Sequence, residues 1–520
     1  MLFDVAIVGC GPVGALAANL FGRAGLRTVV LEREGQLHPL PRAVHLDHEM
    51  MRLFQGIGLV EQMLPDMRDT DGHLHIGADH GVIRYLGTVG RPRPFGWSND
   101  YFFYQPELEA HLRAGFAACP EVALRTGVEL EAITQSATGC ALQVRTSAGA
   151  EEVQARWVIG CDGARSKVRQ LLGVKLDDLD FEEPWLVVDV DAAGPVKFPQ
   201  LTGVPEVADL QRLSVMLCDP QRPATVVPGR GQHRRWEFML LPGENDAEMM
   251  QPASVARLLQ PWLEGVPHEV IRATTYRFHG LVAERWKVGR VFLAGDAAHQ
   301  TPPFFGQGMC HGLRDVANLA WKLSLVARGT APESLLDTYQ SERDPHVRSV
   351  IAAAVAAGRY ICQLNPAAAT ARDAEMRERM KSTAPTTAAD LIPALRVGVV
   401  ANGTPGAGER FIQSRVGQRL LDEVTGSGWR LFVNGQRPEA QWQQLCAETL
   451  PGSNLRIVDA TALEDGGVVR DWLQQRQVSA VLVRPDFYIF GTTNGDPLGL
   501  VRLLAATLQA PLSILEHQAA

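Results

Sequence analysis

Residues 4–8, DVAIV, form an unbroken apolar run, the pattern of a strand covered on both faces. Small residues follow through Ala24 and Gly25 closes them, which predicts a helix; residues 26–31 return to strand and end at Glu32. Apolar positions at Met50, Met51, Leu53, Phe54 and Ile57 predict a helix over 48–60. Leu108, Leu112 and Phe116 share one face of another helix, opened by Pro106 and Glu107 after Gln105. Strands alternate through 122–160, and 185–280 is strand-rich, with LSVML and RRWEFMLLPGE the clearest cases. Met309, Leu313, Val316, Ala320, Leu323 and Ala327 form one stripe of a long helix over 309–328, ended by Gly329, and helix continues over 333–361. Alanine, threonine, proline and glycine dominate 365–410, which predicts a linker. Beyond it WRLFV, LRIVD and SAVLVRPDFYIF alternate with helical stretches, the pattern of a small open α/β sheet.

Composition narrows the class of protein. With 46% apolar and 21% charged residues over 520 positions, the chain is an ordinary globular protein of several domains. A net charge of -8 argues against nucleic acid or an anionic membrane as a bulk-charge partner. No apolar run is as long as a membrane span, and the chain opens straight into a strand without a secretion signal. Eight scattered cysteines, none in C-x-x-C, read as reduced thiols of a cytoplasmic protein. Fourteen histidines show no metal-binding spacing, so no metal is expected.

The chemistry concentrates in two turns. Gly9, Gly11 and Gly14 complete G-x-G-x-x-G, as Gly9-Cys10-Gly11-Pro12-Val13-Gly14, between the first strand and the small-residue helix. Gly9 permits the tight turn, Gly11 lets a pyrophosphate approach the backbone, and Gly14 lets helix and strand pack closely. Glu32 is placed to accept from a ribose hydroxyl. The second turn lies in RVFLAGDAAHQTPPFFGQGMCHG, residues 290–312, and lacks the spacing of a second dinucleotide motif. One extended ligand using both turns fits FAD better than NAD: Asp296 would accept from the ribityl chain, and Gly306 to Cys310 would lead into a helix N-terminus that meets the flavin pyrimidine edge.

Together GCGPVG with Glu32, CDGARSKVR, and GDAAHQTPPFFGQGMCHGLRDVANLAWKL resemble the class A, single-component flavoprotein aromatic hydroxylases, over roughly residues 1–360. That resemblance implies an α/β fold: a Rossmann-like FAD-binding domain over 1–180 and 275–365, an inserted β-rich substrate domain over 181–274, a linker over 366–409, and a thioredoxin-like C-terminal domain over 410–520. With no C-x-x-C and Cys446 alone, that last domain is not expected to exchange disulfides. The resemblance carries FAD contacts to Gly9, Gly11, Pro12, Val13, Gly14, Glu32, Arg33, Arg42, Gln105, Leu130, Asp162, Asp296, Gly308, Met309 and Cys310, and a nicotinamide-nucleotide contact to Arg165. It implies non-covalent FAD, NADH or NADPH as electron donor, O2, and a phenolic substrate. HRRWEFMLLPGE, PPFFGQGMCHGLRDVANLAWKL and VLVRPD are most similar to the branch acting on 3-(3-hydroxyphenyl)propionate or 3-hydroxycinnamate. Candidates for helping the phenol lose its proton are His299, Tyr104 and His45. Trp236, Phe238 and Leu240 alternate on one strand and are candidates to wall the aromatic pocket, with Pro302 stiffening the loop over the flavin edge. Another phenol or polyketide-type aromatic, a flavin oxidoreductase that never oxygenates, a non-catalytic flavin sensor and a homo-oligomeric state all stay open.

Overall fold

The computed structural model describes residues 2–382, 391–435 and 440–510. Its first layer is an eight-stranded sheet built on the strand Leu2–Val8, which pairs in parallel with Thr28–Glu32 on one side and Gly149–Gly160 on the other. Val291–Leu293 extends this parallel core beyond Gly149–Gly160, and Val122–Thr126 extends it beyond Thr28–Glu32. The helices Pro12–Arg23 and Gly308–Ala327 pack together over the sheet. All the motif turns therefore leave the carboxyl ends of parallel strands, where an open α/β sheet binds its ligand.

The second layer is another eight-stranded sheet, dominated by two long strands, Leu176–Ala192 and His268–Ala283. Both cross the boundaries expected at 180 and 275. Two further strands, Gly72–Ile76 and Val82–Gly87, come from well outside 181–274 and join by parallel pairing of Gly72–Ile76 with Leu213–Leu217. One face of this sheet buries Leu186, Val188, Val215, Val226, Trp236 and Phe238 against the helix Pro252–Leu263. The other faces the nucleotide-binding layer.

The expected linker begins as a helix, Pro366–Ser382, docked on the edge strand Val82–Gly87. Asp373 accepts from the Ala78 amide at 2.7 Å, and the Arg377 Nε donates to the Val82 carbonyl at 3.1 Å. The alanines that mark a composition shift are also strong helix formers, and Pro366 sits where a helix tolerates proline. The helix expected over 48–60 is likewise divided, into His48–Gly56 and Val60–Met63, about Gly58 at φ +70.

The C-terminal unit has the strand order Arg456–Asp459, Arg430–Val433, Ala480–Val483, Ile489–Thr493; the first pair is parallel and the others antiparallel. Buried ion pairs fasten it to the rest. Arg52 bonds Asp422 at 2.5 Å, and Arg484 reaches both Glu342 and Asp486 at 2.7 Å, with Lys322 also on Glu342 at 2.9 Å. Among the described residues, no helix is long and apolar enough to cross a membrane.

Candidate active site

The first turn is shaped by what its glycines leave empty. A Cβ on Gly9 would lie 2.5 Å from the Cys161 carbonyl oxygen, and one on Gly14 would lie 2.0 Å from the Gly9 carbonyl oxygen. At Gly11 a Cβ would meet only the Arg42 guanidinium, at 3.9 Å, so that side of the turn is open. The helix beyond has Pro12 in its first turn and no side-chain cap, which leaves the first-turn amides for an anion. Glu32 is held at its strand end by the Cys10 amide at 2.7 Å and the Glu34 amide at 2.8 Å. The Val128 amide donates to the Glu32 carbonyl at 3.0 Å and carries Leu130 to the same end. Arg33 is exposed and paired with Glu34. Gln105 accepts the Arg42 and Ala43 amides at 3.1 and 2.6 Å and donates to Glu109 at 2.6 Å. Its amide thus braces the chain at Arg42, whose own side chain is 54% exposed beside Gly11.

The second turn carries two carboxylates with opposite fates. Asp315, on the long helix, accepts from the Gly295 amide at 3.0 Å, from His299 Nε2 at 2.7 Å and from Arg343 Nε at 3.0 Å. Burial raises its pKa, but His299 and Arg343 outweigh that and hold it below the usual range. Asp296, by contrast, is exposed to the cleft and has no hydrogen bond to a described residue. Desolvation by the surrounding walls pushes its carboxyl up, against His299 and the Arg42 guanidinium. The two turns meet in space: a Cβ on Gly295 would lie 3.0 Å from Val13 of the first turn, and one on Gly312 2.6 Å from it. The helix Gly308–Ala327 begins there with no side-chain cap.

A free acceptor, an uncapped helix start and a glycine opened toward Arg42 fit the ribityl chain and pyrophosphate of FAD. The Asp162 carboxylate accepts from Ser166 Oγ at 2.5 Å and the Val168 amide at 3.0 Å, capping a short helix, which leaves its backbone to face a ligand. Arg169 was missed; it donates to the carbonyls of Ala297 at 2.9 Å and Ala164 at 2.7 Å and ties the two motif loops together. Arg165 is exposed beside them.

Each catalytic candidate is otherwise engaged. His299 is fully buried, bonded to Asp315 and tilted against Trp286 at 5.1 Å; it supports the turn from behind and faces no cleft. Burial opposes a charge on His45, but its 2.9 Å bond to Asp100 prevails and raises its pKa; its other nitrogen meets the Gly306 carbonyl at 3.3 Å. An imidazole bonded through both ring nitrogens is a strut for the loop after Pro302 and has no nitrogen left to take a proton from a phenol. Tyr104 donates toward the Pro39 carbonyl at 3.4 Å, with its ring between His233 and Arg230. Asp100, His45 and His73 come within 4.8 Å of one another. Among the described residues neither ring nitrogen of His73 has a partner, and burial lowers its pKa to about 4.

The pocket wall is a correction. Trp236, Phe238 and Leu240 lie in the core under the helix Pro252–Leu263, on the face turned away from the cleft. Alternation puts Arg235, Glu237 and Met239 on the cleft side instead. Register aligns Arg84, His75, Met216, Thr225, Glu237 and Val187 across six strands of that face. The buried Pro302 starts the loop that packs there: Phe305 lies under Arg84, and Phe304 meets Trp185 edge-on. A glutamate inside an aromatic strand and the paired histidines of HLHI were the signals available in the sequence.

The comparisons agree with this geometry. Residues 3–354 match the family described as FAD binding domain, and 408–508 match the HcaD C-terminal domain. A "Probable NADH-specific resorcinol 4-hydroxylase" of Rhodococcus jostii (strain RHA1) is 35% identical, over 97% of this chain and 95% of its own length. A 3-(3-hydroxy-phenyl)propionate/3-hydroxycinnamic acid hydroxylase of Burkholderia cenocepacia (strain HI2424) is also 35% identical, over 97% and 96%. Among solved structures, the flavin-dependent monooxygenase PieE with FAD and substrate shares the fold at TM-score 0.79 and 22% identity, over 100% of this chain and 99% of that one. Aklavinone-11 hydroxylase with FAD and aklavinone superposes at TM-score 0.77 and 25% identity, over 98% and 99%. With the motif turns, the open cleft and the full-length relatives in agreement, this chain belongs to the class A FAD-binding monooxygenases and is an FAD-dependent aromatic hydroxylase.

Proposed function

We propose that the protein hydroxylates a phenol carrying a meta substituent, next to the existing hydroxyl, with NADH as electron donor, in aromatic degradation. One phenol, one O2, one NADH and one proton give the hydroxylated ring, NAD+ and water. The observation that carries this reading is the meeting of the two motif turns, Gly295 and Gly312 packed on Val13, with Asp296 exposed beside them and the polar face of the second sheet against the loop that follows. Both named relatives act on meta-substituted phenols, and one is NADH-specific by name.

The redox chemistry, hydride uptake and O2 activation, belongs to FAD when it is bound. The chain's own residues bind and position. Gly11 and the first amides of the helix Pro12–Arg23 would receive the pyrophosphate with Arg42 beside them, Asp296 the ribityl hydroxyls, and Gly308 to Cys310 the flavin pyrimidine edge. The loop from Pro302 to Gly306, held by His45, closes the wall and keeps water from the reacting ring. Arg165, exposed next to the Asp162 turn, is assigned to the nicotinamide nucleotide. The C-terminal strand order, with a parallel first pair and two antiparallel neighbours, supports a thioredoxin-like scaffold that serves as a buttress, since Arg484 and Asp422 are consumed by buried ion pairs.

The test is parallel accounting of NADH, O2, peroxide and product with and without a phenol. Strong stimulation of NADH oxidation with most of the equivalents in a hydroxylated ring is expected. No stimulation by any meta-substituted phenol refutes the reading.

A further inference from the structure

Within the hydroxylase reading, on which this inference rests, the row of residues across the second sheet contains a carboxylate that neither the flavin nor the fold uses. We infer that Glu237 receives a hydroxyl of the substrate, and that the preferred substrates are uncharged meta-benzenediols rather than phenolic carboxylic acids.

The position comes from register. Glu237 pairs with Thr225 on one side and Val187 on the other, and shares its face with Arg235 and Met239. That face meets the loop after Pro302, because Arg84 and Trp185, which belong to it, contact Phe305 and Phe304. The side chain is only 9% exposed, yet its carboxylate has no hydrogen bond or ion pair to a described residue. A buried carboxylate is ordinarily paired. Burial pushes this one up to about 7 against the pull of Arg235, as expected where compensation is weak. A substrate hydroxyl donating to it supplies the missing partner.

The cations nearby argue for the substrate class. Arg235 places Nε and Nη2 on Asp189 and donates to the carbonyls of Pro41 and Arg42. Arg272 is bound to Asp189 at 2.7 Å. Neither guanidinium is left to receive a substrate carboxylate. Arg84 lies four strand spacings away along the row, about 19 Å between backbones at roughly 4.8 Å per strand, too far for one small ring to span. An acid seated at Glu237 would therefore find neither guanidinium free to pair with it, and would have to keep Glu237 protonated to avoid a like charge. A second hydroxyl meets Thr225 across the strand pair, or the ring nitrogens of His73 and Nε2 of His75 further along that face, which have no partner among the described residues.

The experiment titrates the holoenzyme with resorcinol and with 3-(3-hydroxyphenyl)propionate, reading the flavin absorbance change for Kd and the products by chromatography. Resorcinol should bind at least about tenfold more tightly, and Glu237→Gln should weaken it by about tenfold or more while leaving FAD content and Tm intact and narrowing the gap to the acid. If Glu237→Gln loses FAD, Glu237→Asp, which keeps the charge but withdraws it by one methylene, carries the same comparison. Tighter binding of the acid, or unchanged Kd values in the variants, overturns the inference while leaving an aromatic hydroxylase. Failure of every phenol to bind or be hydroxylated overturns the hydroxylase reading, and this inference with it.

Discussion

Asp296 and Asp315 flank one turn, and replacing each should separate ligand binding from folding. Asp296 has no hydrogen-bond partner among the described residues and is exposed, so Asp296→Ala should remove no contact from the ligand-free protein. Its carboxyl is raised in the folded state, which means folding disfavours its charged form, so at neutral pH the apoprotein should be unchanged or slightly more stable without it. With FAD the loss is a charge-assisted acceptor for the ribityl hydroxyls, about 1.5–3 kcal/mol, or roughly tenfold to a hundredfold in Kd. The stabilisation conferred by added FAD should shrink accordingly. Asp315→Asn should do the opposite. It strands the buried Arg343 guanidinium and the His299 bond, at a cost of about 3–5 kcal/mol with or without flavin. Fluorescence titration of the apoproteins with FAD, and thermal melts of both forms, read the two effects. An Asp296→Ala apoprotein that melts as early as Asp315→Asn, or binds FAD within twofold of the parent, would refute the assignment of the two carboxylates.

Three more outcomes are expected. Phe238→Leu, on the face packed against the helix Pro252–Leu263, should cost less than about 1.5 kcal/mol and leave the KM for the phenol unchanged; a several-fold KM change would return that face to the pocket. Arg484→Met leaves Glu342 and Asp486 buried without their shared guanidinium and should cost about 3–5 kcal/mol, read as a lowered Tm; an unchanged Tm would mean the C-terminal unit is not fastened by this network. Burial holds His48 and His73 near pKa about 4 in the folded protein, against an ordinary value of about 6.5. The folded state then binds fewer protons between those values, so stability should be lost as pH falls from about 6.5 toward 4, each histidine removing up to about 1.4 kcal/mol per pH unit; urea midpoints equal at pH 7 and pH 5 would contradict this.

What the amino-acid order reveals depends on how local each feature is. The strand, glycine turn, helix and Glu32 lie within 32 consecutive residues, and the GD turn announces itself by an acid at a strand end, so the flavin seat was legible. His299 looked reactive because it neighbours Asp296, but its partner Asp315 lies 16 positions away on a different element. His45 is likewise explained by Asp100, 55 positions on, and by Gly306. The second sheet resisted for the same reason: Gly72–Ile76 joins it through a parallel pairing with a strand about 140 residues later along the sequence.

The wrong pocket wall has a different cause. Alternation along RRWEFM separates two faces, but both faces of this sheet are covered, one by a helix and one by the flavin-side loops. Hydrophobicity alone then cannot say which phase is the pocket, and the large aromatics went to the face where packing density matters most. The site phase is marked instead by residues that a buried strand should not contain. Glu237 between Trp236 and Phe238, and His73 and His75 around Leu74, break the apolar pattern at positions that register then aligns on one face. Local rules fail where a ligand supplies the missing partner, so in a sheet covered on both sides the polar exceptions, rather than the aromatics, point to the substrate.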